Sequence, residues 1–312
     1  MELAYFGTPA RPEQLICTRE NLMQPFRKVV VPVAGWGTRS LPASKNVPKE
    51  MLPIYNRPVI QYVVEEALRS GMTSAIFVTN RDKSVIEDYF DYNLQLEAVL
   101  QRGGKQDKLA EIRQVAEMLN LMSVRQKQQR GLGHAVLCAR DLVANEPFAV
   151  MLGDDLMFGS VPGIHQLIEV AQAENMPVVG VMEVPQEEVS KYGIIDGEEI
   201  SPGVYRVRDM VEKPAVDKAP SRLAVVGRYA LFPDIFDYLD KVEPGHGGEI
   251  QLTDALKARA REKGMLAVKL AGIRFDAGNW SDYLTANIYF GLQDENLRYD
   301  LLKKLKNIIQ FE

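Results

Sequence analysis

The feature that most constrains the chain is the rhythm of its first half. Short β-branched or apolar runs alternate with stretches of helical period. Strands are predicted at Lys28–Val33, Ala75–Thr79, Met122–Arg125 and Phe148–Leu152. Arg57-Pro58 opens a helical pattern through Val59, Tyr62, Val63, Ala67 and Leu68, with Gly71 as its C-cap. Residues 83–118 read as two or three helices broken at Gly103-Gly104, and a further helix runs from Gly133 to about Arg140. Alternation of this kind predicts a parallel sheet with helices on both faces. Ligands of such sheets bind beyond the C-terminal ends of the strands.

After residue 177 the pattern changes. Short runs at Val178–Val184, Gly193–Asp196, Tyr205–Glu212 and Leu223–Leu231 alternate with Gly/Pro turns, as added strands and hairpins would. Helical patterns return at Pro233–Leu239, Ile250–Arg261 and Ser281–Leu292. Between the last two, Leu266–Phe275 reads as one strand-like stretch. Leu297 to Ile309 carries Leu301, Leu302, Leu305, Ile308 and Ile309 among lysines, the pattern of an amphipathic helix. The expected organisation is an extension over residues 1–26, one catalytic domain over 27–293 and a C-terminal amphipathic helix over 294–312.

Composition narrows the function classes. A length of 312 residues suits one large or two small domains, and a net charge of −5 speaks against a general nucleic-acid binder. No apolar run reaches membrane-span length. Pro9, Arg11, Pro12, Glu13, Arg19 and Glu20 interrupt any leader-like apolar region. The two cysteines, Cys17 and Cys138, match no metal spacing and read as reduced thiols. A cytoplasmic protein is expected, with neither nucleic acid nor membrane as partner.

The first strand ends in V-P-V-A-G-W-G-T-R, Val31 to Arg39. Gly35 and Gly37 allow close backbone approach to a ligand, successive N–H groups form an anion nest, and Arg39 supplies a bidentate phosphate donor. The dinucleotide fingerprint would need a glycine at position 40, where Ser40 stands, and the P-loop Gly-Lys-Ser/Thr is absent. The loop therefore holds phosphate in another way. Downstream, Lys49 lies in P-K-E-M-L-P, its backbone stiffened by Pro48 and Pro53, and reads as a second phosphate cation.

These residues sit in a longer pattern. A-G-W-G-T-R-S-L-P-A-S-K-N-V-P-K-E-M-L-P-I-Y-N-R-P-V-I-Q-Y-V-V resembles the signature of bacterial UTP–glucose-1-phosphate uridylyltransferases, the UDP-glucose pyrophosphorylases. The resemblance continues in R-Q-x-x-x-x-G-L-G-H-A-V-L-C-A (Arg125 to Ala139), V-E-K-P (Val211 to Pro214), V-G-R-Y (Val226 to Tyr229), E-I-Q-L-T-D (Glu249 to Asp254) and D-A-G-N (Asp276 to Asn279). It spans about residues 27 to 293 in order. It implies an α/β fold: a Rossmann-like, mostly parallel sheet flanked by helices, with added β hairpins forming the sugar side of a cleft. It also implies Mg²⁺-dependent transfer from UTP to glucose 1-phosphate, giving UDP-glucose and pyrophosphate, by a homodimer or homotetramer.

Such a reaction joins two anions by attack on the α-phosphorus of a triphosphate, so positioning and charge neutralisation suffice and no general base is needed. The chain has only His134, His165 and His246 and no nucleophile elbow or Cys/His motif, which agrees. By resemblance, Asp154 and Asp276 hold Mg²⁺, while Asp155 is expected to be a turn carboxylate facing elsewhere. Ala34, Gly35, Gly37, Thr38, Glu50, Gln126 and Gly131, together with Asp154, are implied at the nucleotide. Gly193, Glu212, Lys213 and Glu249 are implied at the sugar phosphate. Glu249 could equally be an N-terminal charge on the following helix. Arg39, Lys49 and Lys213 are the implied catalytic cations. Two positions depart from the family: Gly153 stands where proline is usual, and Trp280 where lysine is often found. The rivals are thymidylyl or cytidylyl transfer, a catalytically silent regulatory paralogue, and a nicotinamide dehydrogenase, which already fails at Ser40.

Overall fold

The structure, a computed structural model, describes residues 24–245 and 248–310. The expected extension over residues 1–26 therefore lies almost wholly outside the described residues, as do Cys17 and His246. The strands are β1 Lys28–Pro32, β2 Pro53–Ile54, β3 Arg57–Pro58, β4 Ser74–Thr79, β5 Asn120–Arg125, β6 Phe148–Met151 and β7 Asp155–Phe158. They continue as β8 Val178–Glu183, β9 Gly193–Ser201, β10 Val204–Glu212, β11 Leu223–Leu231, β12 Leu266–Lys269 and β13 Ile273–Asp276. The helices are α1 Val59–Arg69, α2 Ser84–Tyr89, α3 Leu94–Arg102, α4 Gln106–Ala116, α5 Leu132–Cys138 and α6 Arg140–Val143. After them come α7 Gly163–Glu174, α8 Ile235–Leu239, α9 Leu252–Lys263, α10 Trp280–Gln293 and α11 Glu295–Ile309.

Nine strands form one sheet in the order β5-β4-β1-β6-β11-β8-β12-β10-β9. The four strands legible at the start of the sequence are its parallel half: β1 pairs with β4 and β6, and β4 with β5, all parallel. The expectation of a mostly parallel sheet holds only there. From β11 onward every pairing except β12 with β8 is antiparallel, so the sheet is mixed. Added strands joined by tight turns, such as Gly203 between β9 and β10, run antiparallel because a two-residue turn cannot make a parallel crossover.

Both faces of the sheet are covered. Val29, Val31 and Phe77 pack on one side with Val63, Ile164 and Leu167 of α1 and α7. Val30, Ile76 and Val78 pack on the other with Val136, Leu239 and Leu256 of α5, α8 and α9. Alternate residues of one strand serve opposite cores, which is why β1 and β4 read as unbroken apolar runs.

Two elements differ from expectation in ways that matter for the site. Leu266–Phe275 is not one strand. It breaks at Gly272, whose φ is +128° and where a Cβ would lie 2.5 Å from Phe158 O. The second piece, β13, leaves the main sheet and pairs antiparallel with β7, setting Asp276 opposite Asp155. This ribbon had no counterpart in the strand pattern. Across the sheet, α1 is tied to β11 and α7 by Glu66, which takes Nε and Nη2 of the fully buried Arg228 at 2.9 and 2.6 Å and the Ile164 N–H at 2.9 Å. Among the described residues no helix is long and apolar enough to cross a membrane.

Candidate active site

Because β1, β4, β5 and β6 are parallel, the segments after them emerge at one edge: the glycine loop, Asn80, Gln126 and Gly153-Asp154. Gly37 takes φ +65°, ψ 32° and caps a short turn over Thr38–Ser40, and the Ser44 hydroxyl donates to Gly37 O at 2.7 Å. A Cβ on Gly35 would meet nothing within 4 Å, so this stretch of backbone faces open space. Ala34 O accepts from Asn80 Nδ2 and Gln129 Nε2 at 2.7 and 2.6 Å, which fixes the start of the loop.

Four of the expected residues converge directly. Lys49 Nζ donates to Asp154 Oδ2 at 2.5 Å. Arg39 spans the two carboxylates, Nη1 on Asp276 Oδ2 at 3.3 Å and Nη2 on Asp154 Oδ2 at 3.4 Å. Gly278 lies beneath it: a Cβ there would sit 2.6 Å from Arg39 Nη2, so a larger residue would push the guanidinium aside. Residues 154 and 276 are joined through the ribbon, where Ala277 N–H also donates to Asp154 O at 2.8 Å. Burial would raise the Asp154 carboxyl, but Lys49 and then Arg39 outweigh it and hold the group below its ordinary value. Asp276 goes the other way: burial and the neighbouring Asp154 charge raise it despite Arg39. Two carboxylates thus crowd one spot already claimed by cations. Among the described residues no cluster of three or more His, Cys, Asp or Glu is disposed to hold a metal, so any ion here would rest on this pair. That donor set suits a hard divalent cation that keeps waters and shares substrate phosphates.

Asp155 diverges from Asp154, as expected of adjacent residues in extended chain, but it is no solvated turn carboxylate. It is 3% exposed and holds Arg274 Nε and Nη2 at 2.8–3.0 Å while accepting from Gly227 N at 3.0 Å. Arg274 also stacks over Tyr192, and Tyr192 O accepts from Lys213 N at 2.9 Å. Lys213 is linked through this chain of contacts to Asp155, the neighbour of Asp154, and does not touch the carboxylate pair itself. It takes φ +45°, and its Nζ lies 3.7 Å from Glu212 Oε1. Gly193 sits opposite Glu212, and a Cβ there would lie 3.1 Å from Glu212 Oε2.

Glu50, expected at the nucleotide, is 1% exposed and paired with Lys83 Nζ at 2.8 Å. Burial is the leading cause of both their shifts, raising Glu50 and lowering Lys83. Gln126 is buried at the end of β5 and donates to Gly131 O at 3.1 Å. Gly131 takes φ +97° and packs against Glu249, with its would-be Cβ 2.7 Å from Glu249 Cβ, so Glu249 backs the Gly131 turn. Trp280 is the first residue of α10, 44% exposed and edge-on to Tyr283. Lys83, His134, Thr253 and Arg274 escaped the sequence reading. Thr253 lies within the quoted E-I-Q-L-T-D motif and donates to Glu212 Oε2 at 2.7 Å; that motif was the one signal that could have found it.

A mixed sheet carries a glycine loop, two cations and a carboxylate pair at one edge, and the chain belongs to the nucleotidyl transferase family, whose family model matches residues 28–290. It is 44% identical to UTP–glucose-1-phosphate uridylyltransferase 1 of Staphylococcus saprophyticus, over 91% of this chain and 99% of that protein. It is 42% identical to the UTP–glucose-1-phosphate uridylyltransferase of Bacillus subtilis, over 93% and 99%. Among solved structures, a UDP-glucose pyrophosphorylase complexed with UDP-glucose matches with a TM-score of 0.79 at 44% identity, over 86% of this chain and all of that one. A UTP-bound enzyme from Acinetobacter baumannii matches with a TM-score of 0.83 at 40% identity, over 90% and 98%.

Proposed function

We infer that the chain transfers the uridylyl group of UTP to glucose 1-phosphate, releasing pyrophosphate and leaving UDP-glucose. The observation that carries this is the convergence of Arg39 and Lys49 on the Asp154–Asp276 pair at the edge where the glycine loop opens, in a chain so close to enzymes of that name. A phosphate oxygen of glucose 1-phosphate attacks the α-phosphorus of UTP. The bond from that phosphorus to the oxygen bridging to the β-phosphate breaks, and pyrophosphate departs. No proton needs to move.

The glycine loop (Ala34, Gly35, Gly37 and Thr38) cradles the triphosphate, and Arg39 and Lys49 neutralise charge that accumulates as the leaving group separates. Gln126 and Gly131 receive the base. Lys213 binds the sugar phosphate, and Glu212, aligned by Thr253, accepts from sugar hydroxyls beside Gly193, with Glu249 completing the wall. Glu50 and Lys83 support Lys49 from below. Asp154 and Asp276 would hold Mg²⁺, which when bound supplies charge neutralisation and alignment of the phosphates. The same reading takes residues 27–293 as the catalytic domain and places the enzyme in the cytoplasm as a homodimer or homotetramer. The test is pyrophosphate release across a panel of triphosphates and sugar phosphates, with and without Mg²⁺. Turnover is expected with UTP and glucose 1-phosphate, and its absence from that pair alone would refute the assignment.

A further inference from the structure

Gln126 Nε2 lies 3.1 Å from Gly131 O and 3.0 Å from His134 Nδ1. A carbonyl oxygen only accepts, so the amide nitrogen must face Gly131. One of its hydrogens goes there, and the second points at His134. Nδ1 of His134 therefore carries the lone pair, and the ring proton sits on Nε2, turned toward Cys138 Sγ at 3.9 Å. Burial and then the charge of Arg130 lower the His134 pKa, which favours the neutral ring that this pattern needs. With both amide hydrogens engaged, Gln126 offers only Oε1, and this oxygen has no partner among the described residues. Gln126 lines a cavity of about 410 Å³ together with Trp36, Asn80 and Gln129, beside the glycine loop.

We propose that His134 is a positioning residue that locks the Gln126 amide with its acceptor toward the base, so that the pocket selects nucleoside triphosphates carrying an imide N–H. The inference rests on the nucleotide reading of this pocket. Uracil and thymine both present N3–H between two carbonyls. Cytosine presents a lone pair at N3. A fixed acceptor pairs with the first two and opposes the third. An amide free to turn over would serve either, because its two ends differ only in donor and acceptor sense. Discrimination therefore comes from the groups that stop the turning: Gly131 O takes one amide hydrogen, and His134 Nδ1 takes the other. A site built around one fixed hydrogen-bonding group rejects a ligand that leaves the group unpaired.

The test compares wild type with His134→Ala, His134→Phe and His134→Asn, using UTP and CTP at saturating glucose 1-phosphate. Phe keeps the ring volume without an acceptor. Asn returns an acceptor through Oδ1. The Ala and Phe variants should raise KM for UTP about tenfold and shrink the UTP-over-CTP preference by about tenfold, the value of one hydrogen bond. Their KM for glucose 1-phosphate should stay within about twofold of wild type. His134→Asn should recover most of the preference. Calorimetric binding of UTP and CTP should follow the same order, and thermal melts identify which variants are folded. Unchanged preference in folded Ala and Phe variants, a loss in kcat alone, or an Asn variant as indiscriminate as Ala would each overturn the proposal. Wild type that binds UTP over CTP yet turns over no UTP with glucose 1-phosphate would refute the proposed reaction and leave the role of His134 standing.

Discussion

Lys49 sits 2.5 Å from Asp154 and packs its stem under Gly37, so one side chain links the phosphate loop to the carboxylate pair. Replacing Asp154 with Asn keeps the shape but removes a charge on which any bound cation depends. Turnover should fall by about 10²–10³-fold, with the melting temperature close to wild type. Steady-state kinetics alongside calorimetry check this. Lys213→Ala should raise KM for glucose 1-phosphate at least about tenfold while leaving that for UTP nearly unmoved, as loss of a charged hydrogen bond to one substrate would. A parallel rise for UTP would reassign the residue. Lys49 and Asp154 stood out because their chemistry is local, a lysine between prolines and an aspartate at a strand end, whereas Lys213 was marked only by the family resemblance of V-E-K-P. Lys83, Arg274 and His134 were not. Their partners Glu50, Asp155 and Gln126 lie 33, 119 and 8 residues away, and no spacing rule singles out a lone lysine, arginine or histidine.

At the scale of elements, two charge clamps tie helices to the sheet. Arg228 of β11 meets Glu66 of α1 with no solvent access, so removing one partner strands a buried charge. Arg228→Met should cost about 3–5 kcal/mol in denaturant unfolding, and adding Glu66→Leu should recover much of it. An additive double variant would show that the two residues do not act as a pair. In β10, Asp209 faces Arg261 and Lys257 of α9 at 2.9 and 3.3 Å. Burial pushes its carboxyl up, but the Met210 N–H and these two cations more than offset that, so its folded value is lowered. The unfolded chain then binds the proton more readily than the folded one. The stabilisation is complete above the ordinary Asp value of about 3.9 and fades as pH falls through the lower folded value. Asp209→Asn should cost about 0.5–1 kcal/mol at neutral pH, with the gap to wild type closing on acidification. Melts from pH 7 downward measure it. Element types and places were largely readable from periodicity, including helices over 83–118 and α11, but α7 at Gly163–Glu174 was not anticipated. Strand direction in the second half was not, because a short alternating run carries no mark of which neighbour it will meet. The β7–β13 ribbon was hidden for a related reason: its halves abut other apolar stretches, and only Leu270, Ala271 and Gly272 separate β13 from β12.

At the scale of the molecule, α11 packs Leu297 and Leu301 toward Gly291 of α10 but leaves Tyr299, Leu302, Ile308 and Ile309 at the surface. Leu284 and Ile288 of α10 are exposed as well. This surface supports the proposed self-association. Leu302→Glu with Ile308→Glu should lower the mass seen by light scattering at micromolar concentration while the monomer's melting cooperativity persists. An unchanged mass would move the interface elsewhere.

The ribbon has a consequence for how such an enzyme is made. Asp154 and Asp276 are 122 positions apart, yet they meet only through β7 and β13, outside the main sheet. On the proposed reading, a chain interrupted before residue 273 lacks the second carboxylate of the pair and should release no pyrophosphate from UTP and glucose 1-phosphate.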